Sequence, residues 1–405
     1  MRIAIDLRKI ESSGIGRYMR SIVEALLREG PEHEYVLFVP TGSEHLLNLN
    51  GGNARVLRVD VPYYSIREQF SIPILLTKHR VDLFHSPHFV VPALRPCPMV
   101  VNIHDVIYMA RRDELSSRLG RMYYRCMMPM AAHWSSAVIT SCEYTKQQIL
   151  RHLNPNPDKI FVVPYGIDSR FRPVTDKDAL NAVRKKYGIS DDYILYVGIY
   201  RGRKNHAGLL HAFQQFLKQG HSAQLVIAGP TNEGTAEMQS LGVALGIQNH
   251  MVLTGFVADE DLPALYAGAR VYACSSLAEG FGLTVIEAMA CGTPVVSAEN
   301  SALLEAGGSA AFFADVTNPE MFAQALGRVF KDETLRRELI ELGFKHAEQF
   351  SWTRAAQDTL KIYAAVVKRP SEVIGTDTKP LHGSPLYEST KNVRTDEAGF
   401  ESSPK

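Results

Sequence analysis

Two glutamates with seven residues between them, Glu279 and Glu287, are the only charges in the stretch EGFGLTVIEAMACGTPVV. A segment so apolar belongs inside a domain, where a carboxylate without partners is costly. Glu279 precedes a helix that the sequence starts near Leu283 and stops at Gly292. Gly280 and Gly282, on either side of Phe281, allow close approach of a ligand to the backbone. Unpaired N–H groups at the helix start favour an anion such as phosphate. The same place also suits a carboxylate held by the helix dipole alone. Glu287 sits within the helix among Leu, Thr, Val, Ile, Ala, Met and Cys. An ion pair would satisfy it. So would the hydroxyls of a ribose, whose attached phosphate would then fall at the helix start.

A second cluster lies in YVGIYRGRKNHAGLLHAF. Arg203 and Lys204 fall at or just before a helix running through Leu209, Leu210, Phe213 and Phe216, where the dipole disfavours cations. Either they are a solvated surface pair, or they share a diphosphate, the arginine bidentately and the lysine as a point charge. Arg201 is a third candidate. His104 and Asp105 end an expected strand, where the histidine can serve structure or ligand and the aspartate can orient it or cap a turn.

The elements that must position these groups are legible as alternation. Short apolar runs, six from Ile3–Leu7 to Ile160–Val163 and six from Tyr193–Val197 to Ala310–Phe313, alternate with helical patterns. One such pattern is the stripe Ile15, Tyr18, Met19, Ile22, Val23, Leu26 and Leu27. Alternation of this kind predicts parallel sheets covered on both faces, and two series predict two doubly wound α/β domains. The expected boundaries are residues 1–170, 175–350, a last helix over 351–368, and a disordered tail over 370–405 with few apolar residues. Ligands of such sheets bind beyond the strand carboxyl ends.

Bulk properties narrow the classes. Of 405 residues 45% are hydrophobic and 21% charged, and the net charge of +1 gives no global case for nucleic acid. Five scattered cysteines without CxxC spacing predict a reducing, cytoplasmic compartment. No apolar run reaches the roughly 20 residues of a membrane span, and no signal peptide is expected before the strand MRIAIDL.

The stretch VYACSSLAEGFGLTVIEAMACGTPVV resembles the signature of retaining glycosyltransferases of the two-domain GT-B fold, glycosyltransferase family 4, which includes bacterial mannosyltransferases. SGIGRY (13–18), NIHDVIY (102–108), VVPYGID (162–168), YVGIYRGRKN and LTGFVADEDLPALYAGARVYACSS are similar to further family segments, so the likeness covers about residues 1–367. The family usually has Asn where Tyr165 stands, and some relatives have Arg where Ile199 stands. The resemblance implies that Glu287 holds ribose hydroxyls and that Arg203 and Lys204 hold the diphosphate with backbone N–H groups around Phe281, Gly282 and Leu283. It implies that Glu279 and His104 reach the donor sugar. It gives Gly16 the close approach of the N-terminal loop, and Gly255, Phe256 and Val257 the base side. The last helix should cross back to the first domain. A nucleoside-diphosphate hexose, with mannose favoured, would be the co-substrate, and no metal or other cofactor is expected. The strings Asp176–Asp178 and Asp259–Asp261 precede helices, where capping explains them better than metal binding. A nucleotide-sugar epimerase or another GT-B enzyme, such as a sugar phosphorylase, and a non-catalytic nucleotide-sugar-binding protein are the rivals; release of nucleoside diphosphate with and without extracted lipid-linked acceptor separates them.

The basic segment Arg111–Trp134 mixes Arg111, Arg112, Arg118, Arg121 and Arg125 with Tyr123, Tyr124, Met127 and Met128. It reads either as a solvated helix whose apolar side packs on the sheet or as a peripheral contact with an anionic membrane. In the second case the acceptor is a lipid-linked glycan rather than a free one.

Overall fold

The computed structural model describes residues 1–49, 52–110, 118–190 and 192–368. The expected tail, and Arg111 and Arg112, lie outside the described residues. Two parallel sheets form the frame. The first has β1 (Arg2–Asp6), β2 (Glu34–Val39), β3 (Ala54–Arg58), β4 (Leu83–Ser86), β5 (Met99–Asn102), β6 (Ala137–Thr140) and β7 (Ile160–Val162), in the order β3-β2-β1-β4-β5-β6-β7. The second has β8 (Tyr193–Val197), β9 (Gln224–Ala228), β10 (Met251–Gly255), β11 (Val271–Cys274), β12 (Val295–Ala298) and β13 (Ala311–Ala314), in the order β10-β9-β8-β11-β12-β13. Central strands are buried on both faces, as their unbroken apolar runs require; Ile3 of β1 pairs with Tyr35 on one side and Leu83 on the other. The edge strand β3 escaped the sequence reading. Arg55 and Arg58 interrupt it and no residue in it is fully buried, so no apolar run announces it.

Strand order reverses beside β1 in the first sheet and beside β8 in the second. Those reversals open a crevice at the strand carboxyl ends, and the two crevices belong to the segments that follow β1, β4, β8 and β11. The chain passes between the sheets twice, side by side. Ile167 N donates to Phe350 O at 3.2 Å, and a Cβ on Gly166 would lie 2.1 Å from Trp352 N. The last helix, Trp352–Val367, then lies along the first one, Ser13–Glu29. Leu360 closes over Gly30, Thr353 accepts from Arg28 at 2.9 Å, and the buried Tyr363 hydroxyl meets His85 of β4. All five cysteines are free thiols. Among the described residues no helix is long and apolar enough to cross a membrane.

Candidate active site in the cleft

The loop after β8 turns through a short 3-10 segment, Gly202–Lys204. Asn205, in the left-handed region at φ 52°, then caps the helix His206–Lys218 by accepting from Gly208 N at 3.2 Å. This turn is stitched to the loop after β11: Leu277 N donates to Arg203 O at 2.7 Å and Ser275 Oγ to Lys204 O at 3.0 Å. The two chemistry-bearing loops are therefore one unit. Arg203 Nη1 lies 3.1 Å from Glu279 Oε2 and 3.1 Å from Ala278 O, and Lys204 Nζ lies 2.5 Å from Glu279 Oε1. All three side chains are largely buried. Burial pushes the Glu279 carboxyl up, but Lys204 and then Arg203 outweigh it and hold it below the usual range, so it is ionised.

Glu287 lies in the helix Leu283–Ala290 and is 2% exposed. Its Oε1 takes Arg17 Nη1 at 2.5 Å and its Oε2 accepts from the Tyr266 hydroxyl at 3.0 Å. Burial raises this carboxyl above its usual range, with Arg17 and Tyr266 opposing. Arg17 comes from the opposite domain, in the helix that follows β1, and also reaches Asp259 at 3.8 Å. The ion pair and the ribose were both open to Glu287; the structure supplies the ion pair, and supplies it across the cleft. Sequence reasoning quoted Arg17 within SGIGRY and gave it no role. Its place beside Gly16, after the first strand of a doubly wound sheet, was the available signal.

His104 follows β5 and is half-buried. Its Nε2 lies 2.9 Å from Pro87 O, an acceptor only, so Nε2 carries the proton and Nδ1 accepts from the Tyr165 hydroxyl. Burial depresses its pKa, which keeps the ring neutral. Both ring nitrogens are thus engaged within the first domain, and Tyr165, standing where the family usually has Asn, is one of the two groups that fix the ring. Asp105 accepts from Ile107 N at 3.0 Å, the turn-capping role.

The glycines also meet close neighbours within the protein. A Cβ on Gly16 would lie 2.2 Å from Ile10 O, so its bareness serves the packing of its own loop. A Cβ on Gly280 would lie 2.4 Å from His104 O, so there the close approach is made by the other domain's backbone. Gly280 O accepts from Thr145 Oγ1 at 2.9 Å and Ser141 Oγ at 3.1 Å, both also across the cleft. Gly282 adopts φ 109° at the start of the helix Leu283–Ala290, with no side chain capping that end. Phe281 is buried edge-on to Tyr165 at 4.9 Å between ring centres, a wedge between domains. At the other rim Gly255 ends β10 with φ 69°, Phe256 is exposed and Val257 is buried. Arg201 reaches over to the Tyr108 hydroxyl at 2.8 Å.

The aspartate strings divide. Asp176 caps the helix Lys177–Tyr187 as expected. Asp261 does not cap; it takes Lys186 and the Tyr187 hydroxyl at 2.6 and 2.7 Å, while Asp259 pairs with Arg170 at 3.3 Å. Neither string gathers ligands for a cation, and among the described residues no group of three or more His, Cys, Asp or Glu does so. In the helix Arg118–Trp134, Tyr124 and Met128 are buried in the first domain's core and Met127 is buried as well, so this side of the helix packs on the domain.

The chain's two halves match two family models: Glycosyltransferase Family 4 over residues 12–171 and Glycosyl transferases group 1 over residues 181–346. It is similar to O-antigen chain mannosyltransferase B of Escherichia coli, 26% identical over 372 residues that cover 88% of this chain and 97% of the relative. A shorter similarity, 33% identical over 214 residues and covering 50% of this chain and 47% of the relative, links it to mannosylfructose-phosphate synthase of Agrobacterium fabrum. Among solved structures, Anabaena HepE in complex with UDP-glucose superposes with a TM-score of 0.73 at 18% identity, covering 90% of this chain and all of that one (100%). Joined sheets, facing crevices and matched halves lead to one conclusion: the chain belongs to the glycosyltransferases of GT-B fold, with a family 4 N-terminal half and a group 1 C-terminal half.

Proposed function

We propose that the protein is a retaining hexosyltransferase that moves mannose from a nucleoside-diphosphate donor, GDP-mannose in our reading, to a hydroxyl of a glycan or lipid-linked glycan. It would work in the cytoplasm, in synthesis of a cell-surface polysaccharide, and without a metal. The observation that carries this reading is the cluster of Arg203, Lys204 and Glu279 beside the bare helix start at Gly282, facing the first domain. Two buried cations held together by a carboxylate are a diphosphate site occupied by its own counter-ion. The likeness to the Escherichia coli mannosyltransferase favours mannose, and a fold shared with a protein solved with UDP-glucose favours a nucleotide-sugar donor.

On this reading the donor's diphosphate takes Arg203 and Lys204 and the amides near Leu283, and its ribose displaces Arg17 from Glu287. Glu279, released from its cations, turns to the sugar. As the bond from the anomeric carbon to the phosphate oxygen breaks, negative charge grows on the diphosphate, where the preorganised cations stabilise it. The acceptor hydroxyl attacks the same face, and the departing phosphate oxygen takes its proton, so no carboxylate nucleophile is needed. His104, neutral and fixed, lines the sugar from the first domain. The acceptor approaches past Tyr64 and Phe89, whose rings stack at 22° beside His88, a buried residue whose Nδ1 has no partner among the described residues.

Thermal-shift measurements with GDP, UDP, ADP and dTDP test the donor site. One nucleotide should stabilise the wild type strongly, and Glu287→Ala should abolish that shift. Stabilisation by none of the four, together with no nucleoside diphosphate released from any donor in the presence of extracted lipid-linked glycan, overturns the reading.

A further inference from the structure

Three segments meet near the carboxyl ends of β1 and β4, where the strand order of the first sheet reverses: Lys9 after β1, Tyr64 just before the helix Ile66–Lys78, and His88 with Phe89 after β4. Ser86 Oγ donates to His88 O at 3.0 Å and fixes the last of these loops. Tyr64 holds φ 63°, in the left-handed region. Asn154 and Asn205 share that region and are of a residue type that tolerates it; an aromatic residue there is strained. Contacts of its ring hold the strain in place. Lys9 Nζ donates to the Tyr64 hydroxyl at 2.6 Å, Tyr123 meets the ring edge-on at 5.1 Å between centres, and Phe89 stacks on it. Those contacts do not bury it, for Tyr64 stays 43% exposed. Beside it lie polar groups with unmade bonds. His88 is 4% exposed and its Nδ1 has no partner among the described residues, and neither has the Tyr63 hydroxyl. The fold gains nothing from a strained, exposed ring next to unsatisfied polar groups. Strain and unmade bonds of this kind collect where a ligand completes them.

The surrounding charges select the ligand. Arg8 lies over the Tyr63 ring and takes Asp6 at 2.7 Å and Glu68 at 3.2 Å. Lys9 adds a second cation, so two carboxylates balance two cations around the platform. Burial holds the His88 imidazole well below its usual pKa, hence neutral. A neutral imidazole bonds a hydroxyl, which both donates and accepts, and an exposed phenol ring offers an apolar face to the C–H face of a sugar. We propose that Tyr64, with His88 and Lys9, forms a subsite for an uncharged sugar ring of the acceptor. The sugar lies against the exposed face of Tyr64, one of its hydroxyls completes the His88 imidazole, and another accepts from Lys9. A uronic acid or a sugar phosphate would unbalance these charges and is selected against. The inference deepens the proposed transfer and rests on it for its purpose: His88 stands 6.1 Å from Tyr64 and 6.3 Å from His104 between ring centres, so a sugar held there lies next to the place proposed for the donor sugar.

Saturation-transfer NMR on the full chain, with GDP in excess, tests the subsite without turnover. The probes are the methyl glycosides of mannose, glucose, galactose and N-acetylglucosamine, with methyl glucuronide as the charged counterpart. The wild type should give signal with at least one neutral glycoside and none with the glucuronide. Tyr64→Asn should weaken that binding about tenfold while the melting temperature holds or rises, because asparagine accepts the left-handed backbone. A ring kept only for packing predicts the reverse, a lower melting temperature with the signal unchanged. His88→Leu should also weaken binding about tenfold, and His88→Asn, which restores a polar group near Nδ1, should recover most of it. In transfer assays the acceptor KM should rise by the same factors, with the donor KM unchanged. No signal from any neutral glycoside, a signal that Tyr64→Asn keeps in full, or tighter binding of the glucuronide overturns the inference. A wild type that binds a neutral glycoside through Tyr64 yet releases no nucleoside diphosphate from any donor supports the subsite and overturns the transfer reading instead.

Discussion

The surroundings of Glu279 and those of Glu287 solve one electrostatic problem in two ways. Glu279 finds both of its cations, Arg203 and Lys204, within its own domain, and is held ionised. Glu287 has a single cation, Arg17, and that cation belongs to the other domain. Its carboxyl is raised, because one partner offsets burial less than two. The first arrangement is internal to the second domain. The second bridges the two domains, so a group that took Glu287 from Arg17 would also remove a contact between them.

The largest expected effect that sharpens this contrast is on chemistry. Lys204→Ala should lower transfer by roughly 10²–10³-fold, the usual cost of losing one preorganised group aimed at developing charge, measured as nucleoside diphosphate released under saturating donor. Arg17→Ala should be milder. Its double-mutant cycle with Glu287→Gln should return a coupling of about 1–2 kcal/mol in unfolding free energy, since Arg17 is partly solvated and charged hydrogen bonds are worth little more. A coupling near zero would mean that the pair does not form in solution.

The pH dependence separates the two carboxylates by sign. The Glu279 pKa is depressed, so its stabilisation is present above the ordinary value of 4.5 and is lost as pH falls below it. The Glu287 pKa is raised, so the folded chain binds more protons than the unfolded one above 4.5, and its contribution weakens as pH rises through that window. Melting curves recorded across this range should show Glu279→Gln flattening the acid-side loss and Glu287→Gln flattening the opposite slope; slopes of the same sign in the two variants would refute the contrast. The smallest effect concerns the ring opposite. Tyr165→Phe should cost about 1 kcal/mol in denaturant unfolding through loss of one hydrogen bond to His104, with nucleotide-induced stabilisation unchanged.

Local pattern carried the parts that repeat. Twelve of the described strands announced themselves as apolar runs, and Arg203, Lys204, Glu279 and Glu287 stood out because charge in such company demands a reason. The partners did not stand out. Arg17 and Glu287 are 270 residues apart, and no periodicity links a loop in one sheet to a helix in the other. The contact between Tyr165 and His104 is similarly remote, so the sequence shows that Tyr165 stands where the family usually has Asn and not that it pairs with the histidine. The protein neighbours of Gly16 and Gly280 were hidden for the same reason: a bare Cα shows that something comes close, and only the fold shows that Ile10 O and His104 O do. In the helix Ile66–Lys78, Ile66, Phe70 and Ile74 have the spacing of a buried face yet stand exposed, because Ile72 and Leu76 already fill the core side.

The last helix has a consequence for how the molecule comes into being. Because residues 352–367 cover the first helix and reach His85 in the middle of the opening sheet, the domain made first on the ribosome lacks part of its own wall until the second is finished. During synthesis the apolar side of that first helix waits uncovered while the whole second sheet is made, and a ribosome that stalls after that sheet would leave a nascent chain with an open seam for chaperones to guard.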